Sequence, residues 1–411
     1  MTSTQTKLAG AARTLALGLF LAAGALLAGQ AALAADAKKP QLSDKVVKLY
    51  KPAIDAYNKG DLDTALTQAQ AALAAADKPY DTQQVLMLIR GIYSKQQNYA
   101  LLAETTEKVN AMEITTDAER ALTYPTLTQI YANQKNWEKA ADYGTKWANT
   151  GGGQPAYEIL WKVYLNQGDC EHGLPWLLKA TEGRDASEAE LLQENRCYFK
   201  MDKKPERKAV MEELNKRFMK HDYVSDLLGI YIEEKIDNRA KLNIRRLEFL
   251  KGYMTRESEY TNYAELALDV GSPNEALSSM NQGGGQGVVK YIAVTDDNSR
   301  MLAQAKQQSA EDKKQVAALD REAQASKNGE ADVKVGLVYL GLGEYQKAVD
   351  AITRGLSAER VAKVKRVDDA NMMLGISYWK LGKTDEAKAA FTEAQKDPRM
   401  ANAATLWIEA L

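Results

Sequence analysis

Two cysteines, Cys170 and Cys197, and two histidines, His172 and His221, supply every thiol and imidazole of the 411-residue chain. Cys170, His172 and Cys197 are close enough in sequence to suggest either a zinc or redox site or a disulfide. Zinc asks for four convergent ligands, usually in closely spaced pairs. Cys170-x-His172 is a poor pair, and no fourth ligand is identifiable, since His221 follows His172 by 49 positions. A disulfide needs only the two thiols, and an even cysteine count suits an oxidising compartment. It would span 27 residues and contribute roughly 3 kcal/mol by the chain-entropy model. A structural bridge is the expectation, ahead of free buried thiols and of metal.

The remaining inventory for catalysis is thin. The sequence has no H-E-x-x-H, no G-x-S-x-G and no G-x-x-x-x-G-K-[ST], so neither a zinc hydrolase, a nucleophile elbow nor a phosphate-binding loop is signalled. The glycines at 283–285 follow no strand and precede no phosphate-binding Lys-Ser, and read as a loop or helix C-cap. Asp296-Asp297 and the basic run from Lys200 to Lys208 read as a solvated loop and a helix start rather than as ion sites. The chain is expected to be no enzyme and to need no cofactor.

A binding role is better supplied with candidates. Amide side chains recur near one position of a repeated pattern, at Asn58, Gln96, Asn133 and Asn166. An amide both donates and accepts, so a ladder of them could hold the backbone of an extended peptide. Asn and Gln equally suit the turn that leaves a helix, as in "YNKGD" and "LNQGD", and that reading is the simpler one. Glu158, Lys162 and Trp379 complete the candidate wall. The set does not form a Lys/Asn/Arg clamp for C-terminal carboxylates.

The elements that would position these residues are helices. "GISYWKLGKTDEAKAAF" (375–391) reads as a short helix, a turn at Gly382 and a second helix. Gly375 and Ala387 would let the two helices approach closely, while Tyr378 and Phe391 fill the space towards the next pair. The same spacing returns in "GLVYLGLGEYQKAVDAI", "AELALDVGSPNEALSSM", "WKVYLNQGDCEHGLPWL", "TQIYANQKNWEKAADYG" and "AIDAYNKGDLDTALTQA", and more weakly in "RGIYSKQQNYALLAETT". Small second-helix residues fall at 65, 103, 140, 173, 209, 276, 348 and 387. Most of these steps approximate one helix pair, and the two double steps predict hidden units near Leu242 and near Asp312. The pattern fits the tetratricopeptide signature L-G-x2-Y, A-x3-F, P. It predicts an all-α, right-handed α-solenoid of about ten helix pairs, with Cys170 opening one second helix and Cys197 lying in the next first helix. "TGGGQP" (Thr150 to Pro155), "NQGGGQG" (Asn281 to Gly287) and "LSAERVAKVKRVDDA" interrupt the array. The last of these is expected to be an extended second helix or a longer loop.

The N-terminus has a different composition. Lys7 and Arg13 precede an apolar run that ends in small residues, and Ala32-Leu33-Ala34 fits the cleavage rule of a secretory signal peptide. Cleavage after Ala34 would leave 377 residues at formal charge −3, because the leader removes two cations. No stable membrane span is then expected. Near-neutral charge on so long a chain offers no electrostatic footprint for nucleic acid.

On these residues the chain resembles exported bacterial tetratricopeptide-repeat proteins. "ADVKVGLVYLGLGEYQKAVDAITRGL" and "DDANMMLGISYWKLGKTDEAKAAFTEAQKDPRMANAATLWI" are the most telling segments. The resemblance implies a periplasmic protein whose repeats bind a protein or peptide partner in the cell envelope, and association with a TonB-type transport system. The expected layout is a signal peptide at 1–34, an N-terminal array at 35–282 and a C-terminal array at 283–411. The leading function is a non-enzymatic scaffold or adaptor. A soluble periplasmic binding protein for a peptide or glycan fragment, with an aromatic pocket around Trp161 and Trp176, is the alternative.

Overall fold

A computed structural model of the protein describes residues 40–283 and 295–411. The expected signal peptide and most of the Gly-rich stretch after Asn281 lie outside the described residues. Among the described residues every regular element is helical, as the repeat spacing predicts. The chain divides into two compact units at Arg120 and Ala121.

The first unit holds two antiparallel pairs, α1 (Asp44–Lys59) with α2 (Leu62–Ala75) and α3 (Pro79–Lys95) with α4 (Tyr99–Asn110). A short helix, α5 (Asp117–Ala121), begins at its end. Ala65, Ala69 and Ala72 recur every three or four positions on α2 and are fully buried. Such small residues let helix backbones pack closely. Asp81, also buried, is satisfied by the Ser43 amide at 3.0 Å and the Ser43 hydroxyl at 2.7 Å.

The second unit begins with α6 (Tyr124–Asn133) and α7 (Trp137–Trp147), then α8 (Gly153–Asn166) and α9 (Cys170–Thr181). Between α7 and α8 the Gly-rich stretch forms a π-type turn, with Gly151 in the left-handed region at φ 95°. There follow α10 (Glu188–Lys200) and α11 (Lys204–Phe218), α12 (His221–Glu233) and α13 (Asn238–Leu250), and α14 (Glu257–Asp269) and α15 (Pro273–Gly283). A single long helix, α16 (Asp296–Ser326), precedes α17 (Gly329–Gly341) with α18 (Tyr345–Gly355), α19 (Val367–Lys380) with α20 (Thr384–Gln395), and the terminal α21 (Ala401–Glu409). The segment before α19 is a longer loop with one 3-10 turn at Val361–Lys363.

The described helices form nine pairs, in line with the expected ten or so. The unit expected near Leu242 is real, since Leu242 lies buried in α13. The one expected near Asp312 is not a pair, because Asp312 lies within the unbroken 31 residues of α16. That helix contains neither Gly nor Pro, so nothing in it favours a turn.

The nine pairs share one turn. The last turn of each first helix closes with a backbone amide donating to a carbonyl five residues back, as from Asn98 to Tyr93, Asp169 to Tyr164 and Lys383 to Tyr378, all at 3.0 Å. Before that donor sits a left-handed residue, Gly168 or Gly382 where glycine is present and Gln97 or Lys135 where it is not. This is Schellman-type helix termination. Asp61, Asn98, Asn136 and Asp169 then cap the second helices through their side-chain oxygens, satisfying amides that a helix start leaves unpaired.

The second unit also folds back on itself. One core unites Leu214, Leu227, Ile244 and Leu247 of α11–α13 with Met372, Phe391 and Trp407 of α19–α21. The fully buried Trp407 donates from its indole nitrogen to the Asn243 carbonyl at 2.8 Å and stacks on Phe391 at 5.2 Å between ring centres. Asn243 donates to Asp369 at 3.0 Å, Arg239 pairs with Asp369, and Lys251 donates to the Ala410 carbonyl at 2.6 Å. The C-terminal pairs are therefore anchored on the middle of the unit rather than ending freely.

Candidate interaction surface

The two cysteines are bonded to each other, with Cα atoms 5.2 Å apart. The bridge ties the start of α9 to the last turn of α10, which joins adjacent helix pairs. His172 takes no part in it. Its Nδ1 lies 2.8 Å from Asp169, and its ring stacks on Tyr164. Among the described residues no three His, Cys, Asp or Glu side chains are grouped so as to hold a metal.

The amides read as a ladder all stand at or beside the end of a first helix. Asn58 is near the end of α1 and Gln96 caps α3 in the first unit. Asn133 and Asn166 end α6 and α8 in the second. Gln96 donates to Asp63 at 3.5 Å, and Asn133 accepts from Gln129 at 3.2 Å. These are the places where a short polar side chain suits a terminating helix.

Glu158 is already engaged. It pairs with Lys162 at 3.0 Å and with Arg184 at 3.1 Å, and accepts from the Trp161 indole at 3.2 Å. Arg184 also grips Glu190, whose carboxyl is held down at about 2 by that hydrogen bond against the cost of burial. Trp379 is half-buried, edge-on to Trp407 at 5.6 Å, with Lys251 over its face. Trp161 packs beside the disulfide, and Trp176 stacks on Tyr157 at 5.6 Å with Lys179 over both rings.

A concave feature runs along α11. This helix buries Val210, Met211 and Leu214 on one side. Lys204, Lys208, Glu212 and Lys216, spaced every four residues, form its other stripe. Two clefts follow that stripe and share Ala209 and Glu212. The outer one, about 600 Å³, lies among the ends of α10 and α12 and the start of α11. Phe199, 66% exposed, forms one wall with the Arg207 guanidinium over its ring at 4.9 Å. Lys204 pairs with Glu233 at 3.3 Å and Lys208 with Glu234 at 2.8 Å, and both are exposed pairs of low intrinsic strength. Burial and the nearby Glu194 push the Tyr198 hydroxyl up to about 12.

The inner cleft, about 350 Å³, is walled by α11, α12 and α21. Tyr231 borders it, 2% exposed, with its hydroxyl donating to Glu212 at 3.3 Å. Burial first, then Glu212, drives that hydroxyl's pKa up. Glu409 opposes it from α21 and accepts from Asn215 at 2.7 Å. The basic run 200–208 is a solvated helix start, as expected, with Lys203 and Lys204 at the beginning of α11. Its cations Lys203, Lys204, Arg207 and Lys208 also border the outer cleft. The i, i+4 stripe was the available signal, but only α12 and α21 turn it into a groove.

Residues 368–396 match the tetratricopeptide repeat model. The chain carries a tetratricopeptide repeat. The match covers α19, α20 and the turn between them, the pair in which Gly375 faces Phe391 and Trp407 stacks beyond. No curated protein matches the sequence. Among solved structures, a tetratricopeptide repeat protein from Parabacteroides merdae aligns at 12% identity over 64% of this chain and 100% of that one, with a TM-score of 0.30. A thermophilic tetratricopeptide-repeat protein from Thermus thermophilus aligns at 15% identity over 46% and 99%, with a TM-score of 0.21. The tetratricopeptide-repeat domain of P58(IPK) aligns at 13% identity over 89% and 98%, with a TM-score of 0.25.

Proposed function

We propose that this protein is a non-enzymatic scaffold of the bacterial periplasm, which binds a protein partner of the cell envelope and serves a TonB-type transport system. Stacked helix pairs present extended side-chain surfaces suited to protein partners rather than enclosed reaction centres. The observation that carries the reading is the groove along α11, with Phe199 66% exposed beside closely set charges of both signs. Exposed aromatics bordered by charge are typical of protein-binding surfaces. Export rests on the leader ending at Ala34 and is supported by the Cys170–Cys197 bond, which suits an oxidising compartment. Among the described residues no helix is long and apolar enough to cross a membrane.

In-cell photocrosslinking tests this directly. A crosslinking residue at Phe199, and separately at Asn133, would be activated in living cells of the host and the captured proteins identified by mass spectrometry. A discrete envelope partner from Phe199 is expected, and a component of a TonB-type system would establish the finer assignment. Capture of nothing above background at either position overturns the scaffold reading.

A further inference from the structure

His221 is the first residue of α12, its side chain 19% exposed, and a carboxylate faces each of its ring nitrogens. Nδ1 lies 2.9 Å from Asp222 on the same helix, and Nε2 lies 3.7 Å from Glu259 of α14. The Nε2 atom is buried and has no hydrogen-bond partner. A neutral imidazole carries one N–H and one lone pair. Whichever nitrogen holds the proton, the other turns its lone pair on a carboxylate oxygen. Only the imidazolium can donate to both sides.

The neighbouring groups are already committed. Glu259 accepts from the backbone amides of Thr255 at 2.7 Å and Arg256 at 2.9 Å, and from the Arg256 guanidinium at 3.1 Å. Burial opposes ionisation there, but those amides hold the carboxyl below its usual range, so it stays charged wherever an imidazole titrates. Glu248, wholly buried in α13, accepts from Arg245 at 2.7 Å through one oxygen, while the other has no partner. Burial raises that carboxyl, with Arg245 and then His221 opposing. Asp226, further along α12, faces both His221 and Arg207 of α11. Tyr253 meets the imidazole edge-on at 6.3 Å, and Lys220 is turned away to Glu188 of α10. Four carboxyl groups, those of Asp222, Asp226, Glu248 and Glu259, thus stand around the ring against the guanidinium groups of Arg207, Arg245 and Arg256. With all of them ionised the cluster is one positive charge short of balance.

We propose that His221 is a proton-operated clamp, in which proton uptake lets Nε2–H close on Glu259 and fasten the start of α12 to the start of α14. Helix α12 packs on α13, and α13 on α14. The clamp therefore joins two successive first helices that otherwise meet chiefly through the helix between them, and it governs how one pair stacks on the next. The fold stabilises the imidazolium, so the contribution is present in acid and is lost as pH rises through the imidazole range. It acts with or without a bound partner.

Urea unfolding of the full chain at about pH 5.5 and about pH 8, either side of that range, tests the clamp by comparing wild type with His221→Gln. Wild type should exceed the variant in its folding equilibrium constant by up to about fivefold at the lower pH, the scale of one half-exposed ion pair, and by less at the higher. A loss that is equal at both pH values overturns the clamp and leaves an ordinary packing role. Nuclear magnetic resonance of the wild type covers a variant that fails to fold. The ring signal is assigned with His172→Gln, which removes the chain's one other histidine. The backbone amide signals of Arg256 and Glu259 should shift with the same midpoint as the His221 ring. A ring that titrates without any response on α14, or one that takes up no proton between about pH 5 and 8, overturns the proposal.

Discussion

The indole nitrogen of Trp407 lies 2.8 Å from the carbonyl oxygen of Asn243, a residue 164 positions earlier in the chain. This contact closes the second unit. The backbone acceptor is buried within α13, and the same Asn243 reaches Asp369 through its side chain. One residue thereby links α13, α19 and α21.

Trp407→Phe should keep the stacking on Phe391 but leave the Asn243 carbonyl without the indole donor, at a cost of about 1–3 kcal/mol. Trp407→Ala also opens a cavity in the largest core and should cost about 3–5 kcal/mol. Urea unfolding of both variants checks the order. Equal stability of wild type and Trp407→Ala would show that the fold-back contributes nothing.

This closure was illegible in the sequence for a physical reason. Helix periodicity and turn chemistry are local, and they announced the pairs through Tyr164-to-Asp169 or Tyr378-to-Lys383 spacings. Nothing local in "AATLWIEAL" says that its tryptophan docks on α13 rather than on a further repeat. The disulfide was legible because the repeat frame alone puts Cys170 and Cys197 on neighbouring helices. The groove was not, since Glu212 and Glu409 meet only through the fold-back. Asp312 failed for the opposite reason: arithmetic on repeat spacing demanded a turn where the 31 residues of α16 offer no residue to make one.

The disulfide ties adjacent pairs rather than closing one, so its loss should loosen α9 from α10 without dispersing either helix. Cys170→Ala together with Cys197→Ala should lower stability by about 3 kcal/mol. Reduction of the wild type should give a similar loss. Thermal melts with and without reductant check this, and a reductant-insensitive melting temperature would contradict it.

Two glycines distinguish backbone from side-chain crowding. A Cβ at Gly329 would stand 2.7 Å from the Gly355 carbonyl oxygen and overlap that of Arg360, neither of which can rotate away. At Gly375 the obstacle is the Phe391 ring, 2.5 Å off, and a ring can shift. Gly375→Ala should therefore cost about 1–3 kcal/mol as ordinary overpacking. Gly329→Ala should cost more, because the α17 start must move away from α18. Denaturant midpoints of the two variants give the ranking, and the reverse order would place the rigidity elsewhere.

Glu409, on the wall of the inner cleft, weighs on stability. Burial raises its folded-state pKa above the ordinary 4.5, with Glu212 and Glu213 adding to the shift against the opposing Asn215 bond and Lys216. A carboxyl whose folded pKa is raised stabilises the fold below its unfolded pKa, and that contribution is lost as pH rises through the folded value. At neutral pH the ionised Glu409 is thus a burden that Glu409→Gln relieves, since the amide oxygen can still accept from Asn215. The variant should be more stable than wild type at pH 7 by about 0.5–2 kcal/mol, the range typical where a functional group is exchanged for a stabilising one. The advantage should fade as pH falls through the raised folded pKa and be gone below the ordinary 4.5, where the carboxyl is neutral in both states. Urea titrations from pH 4 to 8 would trace the difference. A variant less stable than wild type at pH 7 would mean that the carboxylate is already well compensated by Asn215 and Lys216.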